Sequence, residues 1–253
     1  KVEEKILFFQ RTRVRKIRFN EKRQEISLKE FSEELKIHKS TAYRIAMTLC
    51  EEGFLYWNFS EGTYSLGFKI VELGAARIHG LELRAQARPH LEKMYNDLGE
   101  IIHLGVLTGG SVVYIDKVEG KRGLTLYSEV GFKAPVHCTA LGKVLLAGLT
   151  NDEVTRLLKD KNLKRFTSRT IVALPALLRH LEKVRENGYA LDLEEHESMV
   201  YCVAAPIKDY SGKVIAALSV TTIIKYFADN MLDKYIKIAR RTAANVSMSI
   251  GSK

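Results

Sequence analysis

The chain has 253 residues, 46% of them hydrophobic and 28% charged, with a formal net charge of +10. That length favours two domains over one, and no run reaches the ~20 apolar residues of a membrane span or opens in the pattern of a secretory leader. The three cysteines, Cys50, Cys138 and Cys202, have no paired spacing, which argues against a disulfide framework and makes a reducing cytoplasm the expected compartment.

Residues 1–10 carry Val2, Ile6 and Phe9 at helical spacing. From Arg11 to Arg23 seven basic residues accompany one acid, Glu21, and the segment reads either as an arm touching phosphates or as a solvated helix face. Through Leu66 there are 13 Lys+Arg against 10 Asp+Glu, a balance of +3, so net charge alone does not single out this part as the polyanion's partner. Between Ser27 and Gly53 two short helices are predicted about a tight reversal at Ile37-His38. In the first, Leu28, Phe31 and Leu35 form an apolar stripe. In the second, Ala42, Ile45 and Leu49 do so, leaving Lys39, Ser40, Tyr43 and Arg44 on the other face. Such a pair is a helix-turn-helix when the second helix offers small and basic side chains to a DNA groove. It is an ordinary packing unit when that face is merely solvated. Gly53 then serves as a helix cap, and Phe54–Phe59, a turn at Ser60-Glu61-Gly62 and Thr63–Ser65 read as a hairpin, the position of a wing.

Helices are predicted next over about 68–79, with Ile70, Leu73 and Ala76 on one face as a dimerisation element, and over about 83–98. Pro89 is expected to kink the second or to sit in its first turn. Strands follow at Ile101–Leu107 and Ser111–Lys117 about Gly109-Gly110, then at Leu124–Ser128, with Gly131–Val136 leading into a helix. A helix capped by the Asn151 side chain and one over Pro175–Asn187, stopped by Gly188, precede strands at Tyr189–Leu193, Val200–Ile207 and Val214–Thr221. A helix over Asn230–Ile250 closes the chain. Mixed strands with flanking helices make this second part an α+β domain.

The order helix, turn, helix, glycine, hairpin resembles the IclR family of bacterial transcriptional regulators. It is carried by Ser40-Thr41, Tyr43-Arg44, Leu49, Gly53-Phe54-Leu55 and Gly62-Thr63-Tyr64-Ser65-Leu66-Gly67. The basic stretch before Ser27 departs from the short polar connector usual there. Two later segments, Gly131–Gly148 and Gly188–Thr221, resemble the effector-binding domain of that family, a fold akin to GAF and PAS sensors. The resemblance implies an α+β chain with a winged helix-turn-helix over 1–66, a linker helix over 67–82 and an effector-binding and oligomerisation domain over 83–253. It further implies a ligand-responsive regulator, a repressor before an activator, that binds a palindromic double-stranded operator as a homodimer or dimer of dimers.

His38, Lys39, Ser40, Thr41, Tyr43 and Arg44 are the candidate DNA contacts. Matching the family's ligand site places Ala140, Leu141, Asp192, Cys202, Ser219 and Thr221 around an effector, a small organic acid. Thr139 would cap the helix from Ala140, whose first N–H groups lack intrahelical partners and so attract a carboxylate. Ser219 and Thr221 lie two apart on one strand and share a face, while Asp192 can accept from a ligand hydroxyl. Each also has a plainer reading: a simple cap, a buried small hydrophobe at Cys202, a solvated carboxylate.

No catalytic residue, cofactor or resident metal is expected, and no membrane partner. Two rival classes come from residue types alone. A metal-responsive regulator would draw on His103, His137, Cys138, His196 and Cys202, whose spacings match no zinc motif. A cysteine hydrolase would use Asp192, His196 and Cys202, or His137 with Cys138. Neighbours on a strand point to opposite faces, which places the latter pair badly, and no nucleophile elbow, P-loop or dinucleotide fingerprint is present.

Overall fold

The computed structural model describes Phe19 and residues 23–73, 82–120, 128–223 and 231–251, and the chain divides into two compact units after Gly80. The expected helix in 1–10, the basic arm up to residue 22, residues 74–79 of the linker helix and the strand at 124–127 lie outside the described residues. Residues 69–73 are helical, and Ile70 and Leu73 on them are exposed.

In the first unit, β1 (Glu25–Ser27) leads directly into α1 (Leu28–Leu35). Ser27 caps α1 through a reciprocal box: its hydroxyl accepts from the Glu30 N–H, and the Glu30 carboxylate accepts from the Ser27 N–H at 2.8 Å, satisfying two end groups at once. Lys36 then turns left-handed at φ 54° and ends the helix. α2 (Lys39–Glu51) follows with His38 as its N-cap. Glu52 is its C-cap, with Gly53 left-handed one position later. In a three-stranded antiparallel sheet, ordered β1-β3-β2, the central β3 (Thr63–Leu66) pairs with both β1 and β2 (Leu55–Asn58). The small core joins Ile26, Phe31, Leu35, Ala42, Ile45, Ala46, Leu55 and Tyr64, the apolar stripes foreseen plus a strand that three residues of sequence do not announce. Arg23 pairs with Glu34 and, at 3.4 Å, with Glu30. One cation of the basic segment is thus tied to α1.

The second unit opens with α3 (Glu82–Leu98), and Pro89 lies inside it as the eighth residue, not in its first turn. A six-stranded antiparallel sheet among the described residues runs β6-β5-β4-β9-β8-β7. Its strands are β4 (Ile101–Thr108), β5 (Ser111–Val118), β6 (Lys133–Ala134), β7 (Ala190–Leu193), β8 (Val200–Lys208) and β9 (Val214–Ile223). Alternation divides it into two faces. Ile102, Leu104, Val203, Leu218 and Val220 pack with α3 and with α7 (Met231–Ser249). On the other face Val112, Ala204 and Ala217 pack with α4 (Ala140–Ala147), α5 (Asn151–Leu158) and α6 (Leu174–Asn187). α5 is capped by Thr150 with Glu153 in a reciprocal box, not by Asn151. The threonine one residue earlier supplies the hydroxyl while Asn151 is already helical. Gly188 ends α6 at φ 70°, as the sequence indicates.

Candidate functional site

Two places in the chain carry the residues singled out from sequence. On α2, burial of Ala42, Ile45 and Ala46 turns the opposite face outward, and His38, Lys39, Ser40, Thr41, Tyr43 and Arg44 are all exposed. The Nδ1 of His38 lies 2.9 Å from Ser40 Oγ and accepts from the Ser40 N–H at 3.4 Å, so these two residues shape the helix start as well as its surface. Thr48, one turn beyond Arg44, is exposed too, its hydroxyl donating to the Arg44 carbonyl at 3.0 Å. In the hairpin, Trp57 packs at a tilt against Tyr64 with centroids 4.5 Å apart, and Asn58 Oδ1 accepts from the N–H and hydroxyl of Ser60 at 3.1 and 2.7 Å. Both side chains therefore build the wing itself.

The second unit holds a cavity of about 90 Å³ against the α4 side of the sheet, and all six carried-over residues line it. Strand register explains the convergence. Asp192 pairs with Cys202, and Cys202 with Thr221, so one rung crosses β7, β8 and β9. Two residues along, Ser219 pairs with His103 of β4. Paired residues present side chains to the same face. The N-terminus of α4 closes the space. Thr139 accepts from the Gly142 N–H at 3.1 Å and donates to the Pro135 carbonyl at 2.6 Å. The Ala140 and Leu141 amides, first in the helix, have no intrahelical acceptor and belong to residues lining the cavity.

His103, Tyr114, Ser128, His196 and Glu197 also line it and were not foreseen at an effector site, His103 and His196 having been singled out only for the metal and hydrolase readings. His103 is buried, its Nε2 lies 2.8 Å from Ser128 Oγ, and its ring packs on Tyr114 at 4.8 Å. A histidine breaking the apolar run of β4 was the available signal. Burial, with the Lys117 charge second, lowers its pKa to about 3, so the imidazole is neutral at physiological pH.

The Asp192 carboxyl is buried, and burial pushes it up to about 7 against the pull of the Glu195 N–H, which donates to Oδ1 at 2.8 Å. This corrects the solvated reading of Asp192. Burial also raises the Cys202 and Tyr114 groups, and Cys202 Sγ lies 3.2 Å from Thr221 Oγ1.

Of the rival constellations, Asp192, His196 and Cys202 do share the cavity, but burial raises the Cys202 thiol and its Sγ lies against Thr221 Oγ1, which leaves no activated nucleophile there. His137 and Cys138 lie in a turn, not a strand. His137 Nε2 is 2.9 Å from the Lys164 carbonyl, and burial pushes the Cys138 thiol up to about 12, the reverse of an activated nucleophile. Among the described residues no three or more His, Cys, Asp or Glu side chains form a metal-holding group, and no helix is long and apolar enough to cross a membrane.

Comparison with known proteins agrees with this division. A model of the IclR helix-turn-helix domain matches residues 18–58, and one described as bacterial transcriptional regulator IclR C-terminal matches residues 75–248. The HTH-type transcriptional regulator XynR of Escherichia coli (strain K12) is 36% identical over 233 residues, covering 92% of each chain. The HTH-type transcriptional repressor AllR of Salmonella typhi is 30% identical over 227 residues, covering 90% of this chain and 84% of its own. The crystal structure of an IclR homolog complexed with 4-hydroxybenzoate, from Microbacterium hydrocarbonoxydans, is similar at a TM-score of 0.75 and 26% identity. That match covers 92% of this chain and 94% of that one. These relatives are regulators or homologues of regulators, not enzymes.

Proposed function

We propose, for a chain that belongs to the IclR family of bacterial transcriptional regulators, that it is a repressor whose hold on its operator is set by a short aliphatic hydroxy acid. The family supplies the frame, a DNA-binding helix-turn-helix and a C-terminal effector domain. The finer reading rests on one observation: six residues distant in sequence line a single cavity at the start of α4.

In this reading the acid's carboxylate sits at the Ala140 and Leu141 amides, where the helix end favours an anion. Its hydroxyl end reaches Asp192, Ser219 and Thr221. Size argues for a chain over a ring. An apolar cavity of ~150 Å³ accommodates benzene, whereas this one offers about 90 Å³ and is walled by Tyr114 and His103. The homologue complexed with 4-hydroxybenzoate supports an organic acid as the effector class, and the small volume of this cavity favours the aliphatic ones. The AllR relative, named a repressor, supports the sign of regulation.

At the other end, Lys39 and Arg44 contact bases or phosphates, while His38, Ser40, Thr41 and Tyr43 set the helix against the backbone. Two copies related by a two-fold axis, alone or as a dimer of dimers, would read a palindrome with half-sites a helical turn or a multiple apart.

The deciding experiment is titration of the full chain with its own upstream DNA over a range of salt, with and without glycolate, lactate, glycerate and benzoate. Steeply salt-dependent binding, altered by a hydroxy acid and not by benzoate, supports the reading. Equal affinity for random duplex at every salt concentration would sink the operator claim. A response to benzoate alone would sink the aliphatic one.

A further inference from the structure

Lys143 takes no part in the reading above, yet its side chain is fully buried. It lies in the first turn of α4, the helix whose leading amides belong to the cavity, and its ammonium is paired with Glu195. Glu195 belongs to the connection from β7 to β8, which forms the facing wall. The N–H groups of Glu195 and His196 both donate to Oδ1 of Asp192, at 2.8 and 3.4 Å, and His196 and Glu197 line the cavity themselves.

This connection is strained. Glu194 and Met199, neither a glycine, sit at φ 62° and 67°, a conformation that persists only where the surroundings over-determine it. Its restraints can be named. Glu194 Oε1 accepts from the Met199 N–H at 2.9 Å, Thr167 donates to the Glu194 carbonyl at 2.6 Å, and Thr170 donates to the Glu195 carbonyl at 2.7 Å. Of these contacts and the ion pair, the pair with Lys143 is the one that reaches α4. Its chemistry is poorly suited to stability alone. Glu195 Oε2 is buried without a hydrogen-bond partner among the described residues, and packed apolar side chains often replace such a pair without loss.

We propose that Lys143 is the positioning residue of the effector cavity: through Glu195 it holds the 194–199 segment, and with it Asp192, His196 and Glu197, in register with the α4 amides. The proposal rests on the effector reading of this cavity, and its test needs no effector. The K143M/E195M double variant of the full chain, with Cys50 replaced by Ser, removes the ionic link while keeping apolar bulk. Methyl methanethiosulfonate labelling, read at Cys202 separately from Cys138 by peptide mass spectrometry, reports the cavity wall, and hydrogen exchange in β4 and β5 reports the fold.

Cys202 should label faster on the order of tenfold, a change of about 1.4 kcal/mol in the opening equilibrium, while exchange in β4 and β5 stays unchanged. An unchanged Cys202 rate, or equal acceleration at Cys202 and throughout β4 and β5, would overturn the proposal and leave the pair as fold support. Failure of the effector reading would show differently, as an unaltered chain that binds no hydroxy acid at all.

Discussion

Burial lifts the Asp192 carboxyl to about 7, so near neutral pH it is divided between a hydrogen-bond donor and a charge that repels a ligand carboxylate. Affinity for a hydroxy acid should therefore fall as pH rises through about 7, and D192N should flatten that profile; calorimetric titrations with glycerate at pH 6 and 8 compare the two. The same shift carries a sign for stability. Folded Asp192 holds its proton to higher pH than the unfolded side chain, whose pKa is about 4, so its contribution falls as pH rises from about 4 to 7. Urea midpoints of the unaltered chain should decline across that window more than those of D192N, and parallel curves would contradict the shift. On α2, the Arg44 side chain is exposed. R44A should weaken operator binding and, if the contact is to phosphate, lower the salt slope by about one. An unchanged slope with relaxed sequence preference would reassign Arg44 to a base edge.

α4 shows how one element supports both packing and the candidate site. Thr139 caps it, and T139A should cost about 0.5–2 kcal/mol in denaturant unfolding and weaken acid binding as well. Gly142 belongs to the same turn, and a Cβ there would fall within the backbone of Val136. G142A should thus destabilise the second unit by about 1–3 kcal/mol through overpacking, while a neutral result would mean that the 134–138 segment yields. K143M alone, which strands the Glu195 charge, should cost about 3–5 kcal/mol, and most of that should return when Glu195 is also made apolar. The reciprocal boxes of α1 and α5 join a hydroxyl to a glutamate three residues on, a local signal, although the α1 cap was not anticipated. The α5 cap was displaced by one residue since Thr150 and Asn151 both qualify chemically. Of the two places open to Pro89, the first turn is excluded: proline disfavours a helix interior, yet α3 continues through it, with Ala87, Leu91 and Met94 buried on either side of it.

For the whole molecule the expected behaviour is linkage between two sites on two units. If an acid changes operator affinity tenfold, about 1.4 kcal/mol of coupling, the operator must change acid affinity by the same factor. Fluorescence titrations of acid with and without operator DNA check this, and unequal factors would rule out simple two-site coupling. Legible in the sequence were the family, the two-part plan, most helices and strands and the outward face of α2, while the six positions that line the cavity came from the family resemblance. Periodicity, caps and motif order are local properties, and the family frame supplied the pocket positions. Only the tertiary structure brought His103, Tyr114 and Ser128 to that cavity, buried Asp192 enough to shift its proton, and set Lys143 against Glu195 across 52 residues of chain. Those facts depend on which strands pair, in what register, and how far a helix end is pressed onto the sheet. Long-range packing decides these, and no local pattern encodes them.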